Sequence, residues 1–409
     1  AKPAPRAFRP LVSLAGLAAV AVLVAAAWLL GRGGQATPTQ QVPAPMATVL
    51  AVLERPMATP TPAPRGRYVL DTVPAPSLAG NSIGEPLQQQ AVIYLPPSYD
   101  TSGRRYPVVY LLLPPPGTDV DWLENMAAYV RSAMNLTLHD DPADELIVVM
   151  PYSVNALGAY NLFVNSPVAG DWPAYLSSDL VGYVDTHYRT LAKPAGRGLL
   201  GVACAALGAL DTVTAHPDVY GAVYLMRPLL FAPGTLAQSS YFSPIARAAL
   251  LDLQRALSAL APEAAPARVR GTLDGEAADI ALVAQEAVAY GIAFAPTADS
   301  QPPYFDYPYA DAQGPADPAT LQRWEDGPAR LLARLSSNAA ALRRLALAVS
   351  DSEGAAGGFV PTQDEGVAHL LERLSAAGIA YTGRTVATTE LEELGREGFP
   401  FMADALAPE

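Results

Sequence analysis

The stretch GRGLLGVACAALGAL, residues 196–210, reads as an apolar strand that runs into a tight turn of small residues and then into a helix. A turn of that kind lifts one side chain clear of the chain. A hydroxyl or thiol placed there can attack an electrophilic carbon such as an ester carbonyl. Gly201 and Ala205 bracket the raised position at two before and two after, and the residue between them is Ala203, which carries no attacking atom. The neighbouring Cys204 offers a second chemistry, since a thiolate is intrinsically nucleophilic. Centring the turn on Cys204, however, puts the branched Val202 in a bracketing place, so a small apolar residue buried beside the helix start is the favoured reading.

Cys204 is the chain's one cysteine, which excludes an intrachain disulfide and any cysteine-built metal site. The four histidines, His139, His187, His216 and His369, show no close helical pairing of the metal-binding kind. His139, Asp140 and Asp141, with Asp144 and Glu145 after them, have the oxygen chemistry for a cation such as calcium. They read more simply as a solvated loop, and no metal or cofactor is expected. With 26 basic and 39 acidic residues the net charge is −13, which repels phosphate backbones and argues against a nucleic-acid partner.

Positioning such a turn requires a sheet. RYVLDT and LQQQAVIYLPPSYD read as antiparallel strands, the second stopped by Pro-Pro. RYPVVYLLL, ELIVVMP, GRGLLGVAC and VYGAVYLM are continuous apolar runs, the pattern of parallel strands covered on both faces. LRRLALAVS and YTGRTVAT read as the last two strands. Helical patterns lie between them in DWLENMAAYVRSAMNLTLHD, YLSSDLVGYVDTHYRT, AALGALDTVTAHP and DEGVAHLLERLSAAGI. Strands alternating with helices predict an α/β fold with a mostly parallel sheet and helices on both faces. The section from about 228 to 341 is too long for a simple connection and predicts a cap over the C-terminal edge of the sheet. Its aromatic stretch PPYFDYPY is expected to pack that cap down rather than to line a ligand groove.

The N-terminus carries a separate signal. Residues 11–30, LVSLAGLAAVAVLVAAAWLL, hold no charge, and twenty helical residues at about 1.5 Å each reach roughly 30 Å, the hydrocarbon thickness of a bilayer. Lys2, Arg6 and Arg9 precede the run and Trp28 sits near its end. The expectation is one uncleaved transmembrane helix with residues 1–10 in the cytoplasm and everything after it extracytoplasmic, in a cell membrane of bacterial type. Residues 31–67 are rich in Pro, Ala and Thr and read as an extended linker. The domain at 68–409 follows.

The ordered series YLPPSYD, RYPVVYLLL, ELIVVMP, NLFVNSP, GDW, YLSSDLVGYVDTHYRT, GRGLLGVACAALGAL and HPDVYGAVYLM resembles the esterase branch of the α/β-hydrolases. That branch holds the esterase D, S-formylglutathione hydrolase and antigen 85 mycolyltransferase families. The resemblance spans about 68–408 and implies an α/β-hydrolase fold with a cap insertion. It also implies a Gly-x-Ser-x-Gly turn, matched here by Gly201 to Ala205 with Ala203 in the serine's place. The family's oxyanion loop is matched by Leu113, Pro114, Pro115 and Pro116, and proline has no N–H to offer an oxyanion. The family's acid is matched by Glu353, with Asp351 as the alternative. Its histidine position falls in VATTELEELG, where Glu390 lies nearest and no imidazole is present; His369 comes one strand too early. Asn165, Ser166, Pro167, Asp171 and Trp172 match the loop near the mouth of the family's site and are read as maintaining the fold.

These departures lead to the expectation of an esterase-like pseudoenzyme, anchored in the lipid bilayer. Its role would be that of a structural or accessory subunit of an integral membrane protein complex, contacted through the transmembrane helix and the Pro-rich arm. A non-catalytic binding module for an acyl, sugar or cell-wall ligand, and a divergent ester hydrolase using Cys204, are the two alternatives.

Overall fold

The computed structural model describes residues 66–114, 122–137, 145–259, 278–352 and 363–406. The predicted membrane span at 11–30 and nearly all of the linker therefore lie outside the described residues, as do Pro115, Pro116, His139 and Glu353. Among the described residues no helix is long and apolar enough to cross a membrane.

Eight strands form one sheet: β1 (Arg67–Pro74), β2 (Gln88–Leu95), β3 (Val108–Leu112), β4 (Ile147–Pro151), β5 (Arg197–Val202), β6 (Ala222–Met226), β7 (Ala346–Ser352) and β8 (Thr382–Val386). Their order is β1-β2-β4-β3-β5-β6-β7-β8. β1 and β2 pair antiparallel, β2 joins β4 antiparallel, and every pair from β4 to β8 is parallel. This is the mostly parallel sheet that the apolar runs predicted, in the arrangement that the resemblance to the α/β-hydrolases implied. β3, β4 and β6 are buried at every position, because helices cover both faces of the centre. β8 is the exposed edge, and its Arg384 pairs with Glu397.

Alternation along the strands separates two cores. Val108, Tyr110 and Leu112 face the larger core. It takes in the helical run α2, made of Trp172–Ala174, a π-helical turn Tyr175–Asp179 and Leu180–His187, together with α3 (Ala206–Ala215). Val109 and Leu111 face the smaller core. It is closed by α1 (Trp122–Thr137) and by residues of the C-terminal α9, made of Glu390–Glu393, a π-helical turn Leu394–Gly398 and Phe399–Ala405.

The cap lies between β6 and β7 and contributes α4 (Pro244–Ser258), α5 (Ala278–Phe294), α6 (Pro318–Ser337) and the short α7 (Ala339–Leu342). The aromatic stretch packs it, as expected: Tyr304 and Phe305 are buried, and Trp324 of α6 meets Phe242, Phe305 and Tyr307 edge-on. One boundary differs from the sequence expectation. The strand predicted from Leu342 begins at Ala346, because the alanine run before it continues as α7 and Leu342 is buried at its end. High helix propensity there outweighs the apolar pattern. α8 (Gln363–Ala376) follows β7.

The register aligns the strand ends. Leu112 pairs with Gly201, Val202 with Met226, and Met226 with Ser350. Leu113, Ala203, Arg227 and Asp351 therefore emerge along one edge of the sheet, the edge where α/β proteins place ligands.

Candidate functional site at the C-terminal sheet edge

The strand, turn and helix expected at 196–210 all form, with Ala203 at the raised position. Val202 is extended, Ala203 takes φ +49°, and a 3-10 turn over Ala203–Ala205 leads straight into α3. A left-handed backbone is costly for a residue with a Cβ, and it persists because the neighbours define it. The Ala203 carbonyl accepts the Leu229 N–H at 3.1 Å, which ties the turn to the loop after β6. Gly201 is required by close approach: a Cβ there would stand 2.6 Å from the Cα of Ala206 and 2.8 Å from the Cβ of Ala209. Ala203 is half-buried, its methyl standing where an attacking oxygen would be raised.

Cys204 is the second residue of the turn. It is fully buried, and burial raises its thiol pKa well above the ordinary value, with the charges of Glu286 and Glu390 adding to the effect. A thiol so placed does not ionise near neutral pH, so the structure supports the buried-apolar reading.

Two carboxylates, Glu286 and Glu390, act on the Cys204 thiol through their charge. Glu390 is the first residue of α9, next to the N-capping Thr389. Burial raises its pKa; Arg227 opposes the shift and Glu393 adds to it. Glu286 comes down from α5 of the cap. Its pKa is pushed up to about 7 by burial first and by the charge of Glu390 second, with the Tyr241 hydroxyl partly offsetting both. The buried Tyr160 feels Cys204, Glu286 and Glu390 together. The region thus holds two carboxylates whose pKa values are raised chiefly by burial, with the charge of Glu390 adding to the shift at Glu286. Such a pair can donate or accept hydrogen bonds and hold a cationic group, but it lacks the imidazole that passes a proton between nucleophile and leaving group near pH 7.

Arg227 secures this arrangement from below. It also has a left-handed backbone, φ +48°, and its N–H reaches the Ser350 carbonyl at 3.2 Å. Its guanidinium donates from Nε to Glu393 at 2.6 Å and from Nη2 to the Thr388 carbonyl at 2.5 Å. Glu393 is wholly buried and also accepts the Tyr224 hydroxyl at 3.1 Å. This network holds the segment after β8, including Glu390, against the end of β6.

The remaining residues singled out in the sequence are placed as follows. Leu113 is buried and Pro114 half-buried at the end of β3, whereas Pro115 and Pro116 lie outside the described residues. Asp351 is the next-to-last residue of β7, and Glu353 lies outside the described residues. Glu145, in the suggested cation cluster, instead accepts the Ser98 N–H at 3.0 Å and lies 3.9 Å from Arg104. His139, Asp140, Asp141 and Asp144 lie outside the described residues, and no group of three metal-ligating side chains occurs among the described ones. His369 lies on α8, 3.8 Å from Glu372. Ser166 donates to the Ile292 carbonyl at 2.7 Å, the Asn165 N–H donates to Asp211 at 2.8 Å, Asp171 caps α2, and Trp172 is buried. These are structural roles.

Sequence reasoning missed Glu286, Arg227, Glu393 and Asp211. Asp211 is buried and paired with Arg334 of α6, which anchors the cap to α3. The available signal was a lone acid in an apolar helical run, as in ALVAQEAVAYGIAF and AALGALDTVT.

The raised Glu286 has a consequence for stability. Its folded pKa of about 7 exceeds the ordinary 4.5, so the fold favours the proton. The associated stability is present below about pH 4.5 and is lost as pH rises through 7. Glu286→Gln removes that dependence. Urea titrations should show the variant gaining roughly 1–2 kcal/mol over the wild type at pH 8, after discounting for partial exposure, and nothing at pH 4. Equal gains at both pH values would contradict the assignment.

The family profile described as "Putative esterase" matches residues 86–363. The curated Esterase Rv1288 of Mycobacterium tuberculosis is 34% identical over 120 residues, which is 29% of this chain and 24% of that protein. The matched segment thus spans about a quarter of the curated relative's length. Among solved structures, a ferulic acid esterase superposes with a TM-score of 0.50 at 15% identity, covering 84% of this chain and 99% of its own. An S-formylglutathione hydrolase from Agrobacterium tumefaciens gives a TM-score of 0.45 at 12% identity, covering 85% and 98% respectively.

Proposed function

This chain belongs to the Putative esterase family of α/β-hydrolases, and within it we propose that the protein is a non-hydrolytic member serving as a membrane-anchored structural or accessory subunit. The observation that carries this reading is Ala203, at φ +49° in an intact strand-turn-helix, together with a segment after β8 that offers Glu390 and no histidine. The consecutive prolines 114–116 support it further, because whatever their conformation they supply no N–H to an oxyanion. The apolar run at 11–30 and its basic flank support a single-pass anchor with the esterase-like domain on the extracytoplasmic side. A Pro-rich arm at 31–67 suits contact with an integral membrane complex. Esterase folds can keep their architecture after their chemistry is gone, since the turn, the cap and the sheet edge are stabilised by packing rather than by the reaction.

The carboxylate pair Glu286 and Glu390 favours a second reading, a binding module that retains a ligand in the former reaction cleft. Turnover of a fluorogenic acyl ester by the complete chain tests the first reading. The wild type and Cys204→Ala are both expected at the buffer rate. Ala203→Ser alone is expected to remain there, for want of an imidazole and of oxyanion N–H groups at the prolines. Ester turnover that disappears in Cys204→Ala would restore the divergent-hydrolase reading. Mild detergent extraction tests the accessory role: the chain should co-purify with an integral membrane partner, and a lone monomer in every preparation would count against it.

A further inference from the structure

The sheet ends on two outer strands, β8 and β1. β8 has five residues and holds Gly383 and Arg384 near its middle, features that discourage a further strand. β1 has eight residues, Arg67–Pro74, and pairs with β2 in one unbroken register. It contains no glycine or lysine, and its proline is its last residue. An outer strand of this kind is a template for another strand.

The register shows which backbone groups lie on that edge. The Ala75 N–H donates to the Leu87 carbonyl at 2.8 Å, continuing the β1–β2 ladder in which Val73 pairs with Gln89. The odd-numbered residues of β1 therefore turn their N–H and C=O groups toward β2, whereas Tyr68, Leu70 and Thr72 turn theirs outward. No strand among the described residues meets them. The side chains show a matching pattern. Leu70 is 44% exposed. Asp71 accepts the Tyr188 hydroxyl at 2.5 Å and forms no ion pair among the described residues. Arg67 lies on the same face of the strand and pairs only with Asp100, which is more than half exposed.

We propose that β1 pairs antiparallel with β1 of a second copy of this chain, across a two-fold axis at Val69, joining the two sheets into one. Outward groups must oppose outward groups, so only every second register is open to the pair. The register centred on Val69 sets Arg67 of each copy opposite Asp71 of the other, and Tyr68 opposite Leu70. A register centred on Leu70 would set Arg67 against Val73 and Asp71 against Val69, leaving both charges unmatched. In the Val69 register, Tyr68 and Leu70 exchange N–H to C=O hydrogen bonds in both directions. The exposed Leu70 is covered by a tyrosine ring, and each Asp71 receives a guanidinium. A second copy is the occupant that fits, because the charges on this edge complement themselves under two-fold symmetry. The contact involves the strand edge alone, and it stands whether or not the turn at Ala203 retains chemistry.

The complete chain in mild detergent, followed by light scattering and by cysteine cross-linking, tests the proposal. The wild type should be a dimer. Arg67→Asp and Asp71→Arg should each weaken association at least ten-fold, and the two together should restore it. Val69→Cys should give a disulfide-linked dimer on oxidation, because residues facing each other at that kind of position have Cα atoms about 4.5 Å apart. Thr72→Cys, which faces Gly66 in this register, should not cross-link. Cys204 is buried and does not compete. Far-UV circular dichroism checks that the charge variants fold; if one does not, the cysteine pair decides alone. A wild-type monomer at every concentration would overturn the proposal. So would a dimer indifferent to charge reversal, which would place the contact elsewhere on the chain, or cross-linking at position 72 in place of 69.

Discussion

Arg227→Ala is expected to lower the unfolding free energy by about 3–5 kcal/mol, the cost of leaving a buried carboxylate without its cation. Glu393 has no exposure to water and cannot be rescued by solvent. Arg227 gives it one hydrogen bond at 2.6 Å and gives the Thr388 carbonyl another, so the substitution also frees the segment that carries Glu390. The midpoint of a urea or guanidinium titration at pH 7 measures the loss. Removing Arg67, whose partner Asp100 is more than half exposed, is the contrasting case and should cost under about 1 kcal/mol. Arg227→Met combined with Glu393→Leu should recover much of the loss, because replacing both members removes the stranded charge. If Arg227→Ala behaves like Arg67→Ala, the network does not hold the sheet edge.

Gly201→Ala should cost about 3 kcal/mol, although it adds one methyl group. The new Cβ would meet backbone 2.6 Å away at Ala206 and a methyl 2.8 Å away at Ala209, and neither has a flexible end to move. The strand and α3 would have to separate, which disturbs the turn that holds Ala203. Gly182, on the exposed face of α2, has nothing within 4 Å of the same hypothetical Cβ. Gly182→Ala should therefore stabilise the chain slightly, by about 0.5–1 kcal/mol, through helix propensity. Thermal midpoints of the two variants should move in opposite directions. A neutral Gly201→Ala would mean that the strand-to-helix packing is looser than the geometry indicates.

The order of the elements was legible because each depends on local pattern. Fully apolar runs such as VVYLL and AVYLM are stable only when both faces are covered, so they imply a parallel centre wherever they occur. The missing oxygen at 203 was equally legible, since a side chain's chemistry is settled by its identity. Even the need for a small residue at 201 was visible, as strand and helix are separated by a turn too short to tolerate bulk.

Other features depended on pairs far apart in the chain. Glu286 and Glu390 are separated by more than a hundred positions, and each looks like an ordinary helix acid; only closure of the cap brings their charges close enough to hold protons. The same applies to Arg227 with Glu393, and to Asp211 with Arg334. The sequence by itself determined the succession of strands and helices, the mostly parallel sheet, the cap insertion and the side chain at position 203, because these rest on local periodicity and on residue type. Tertiary structure alone decided what surrounds that turn and which strands form the outer edges of the sheet, because strand pairing, burial and Coulomb energy depend on distances that no local pattern encodes.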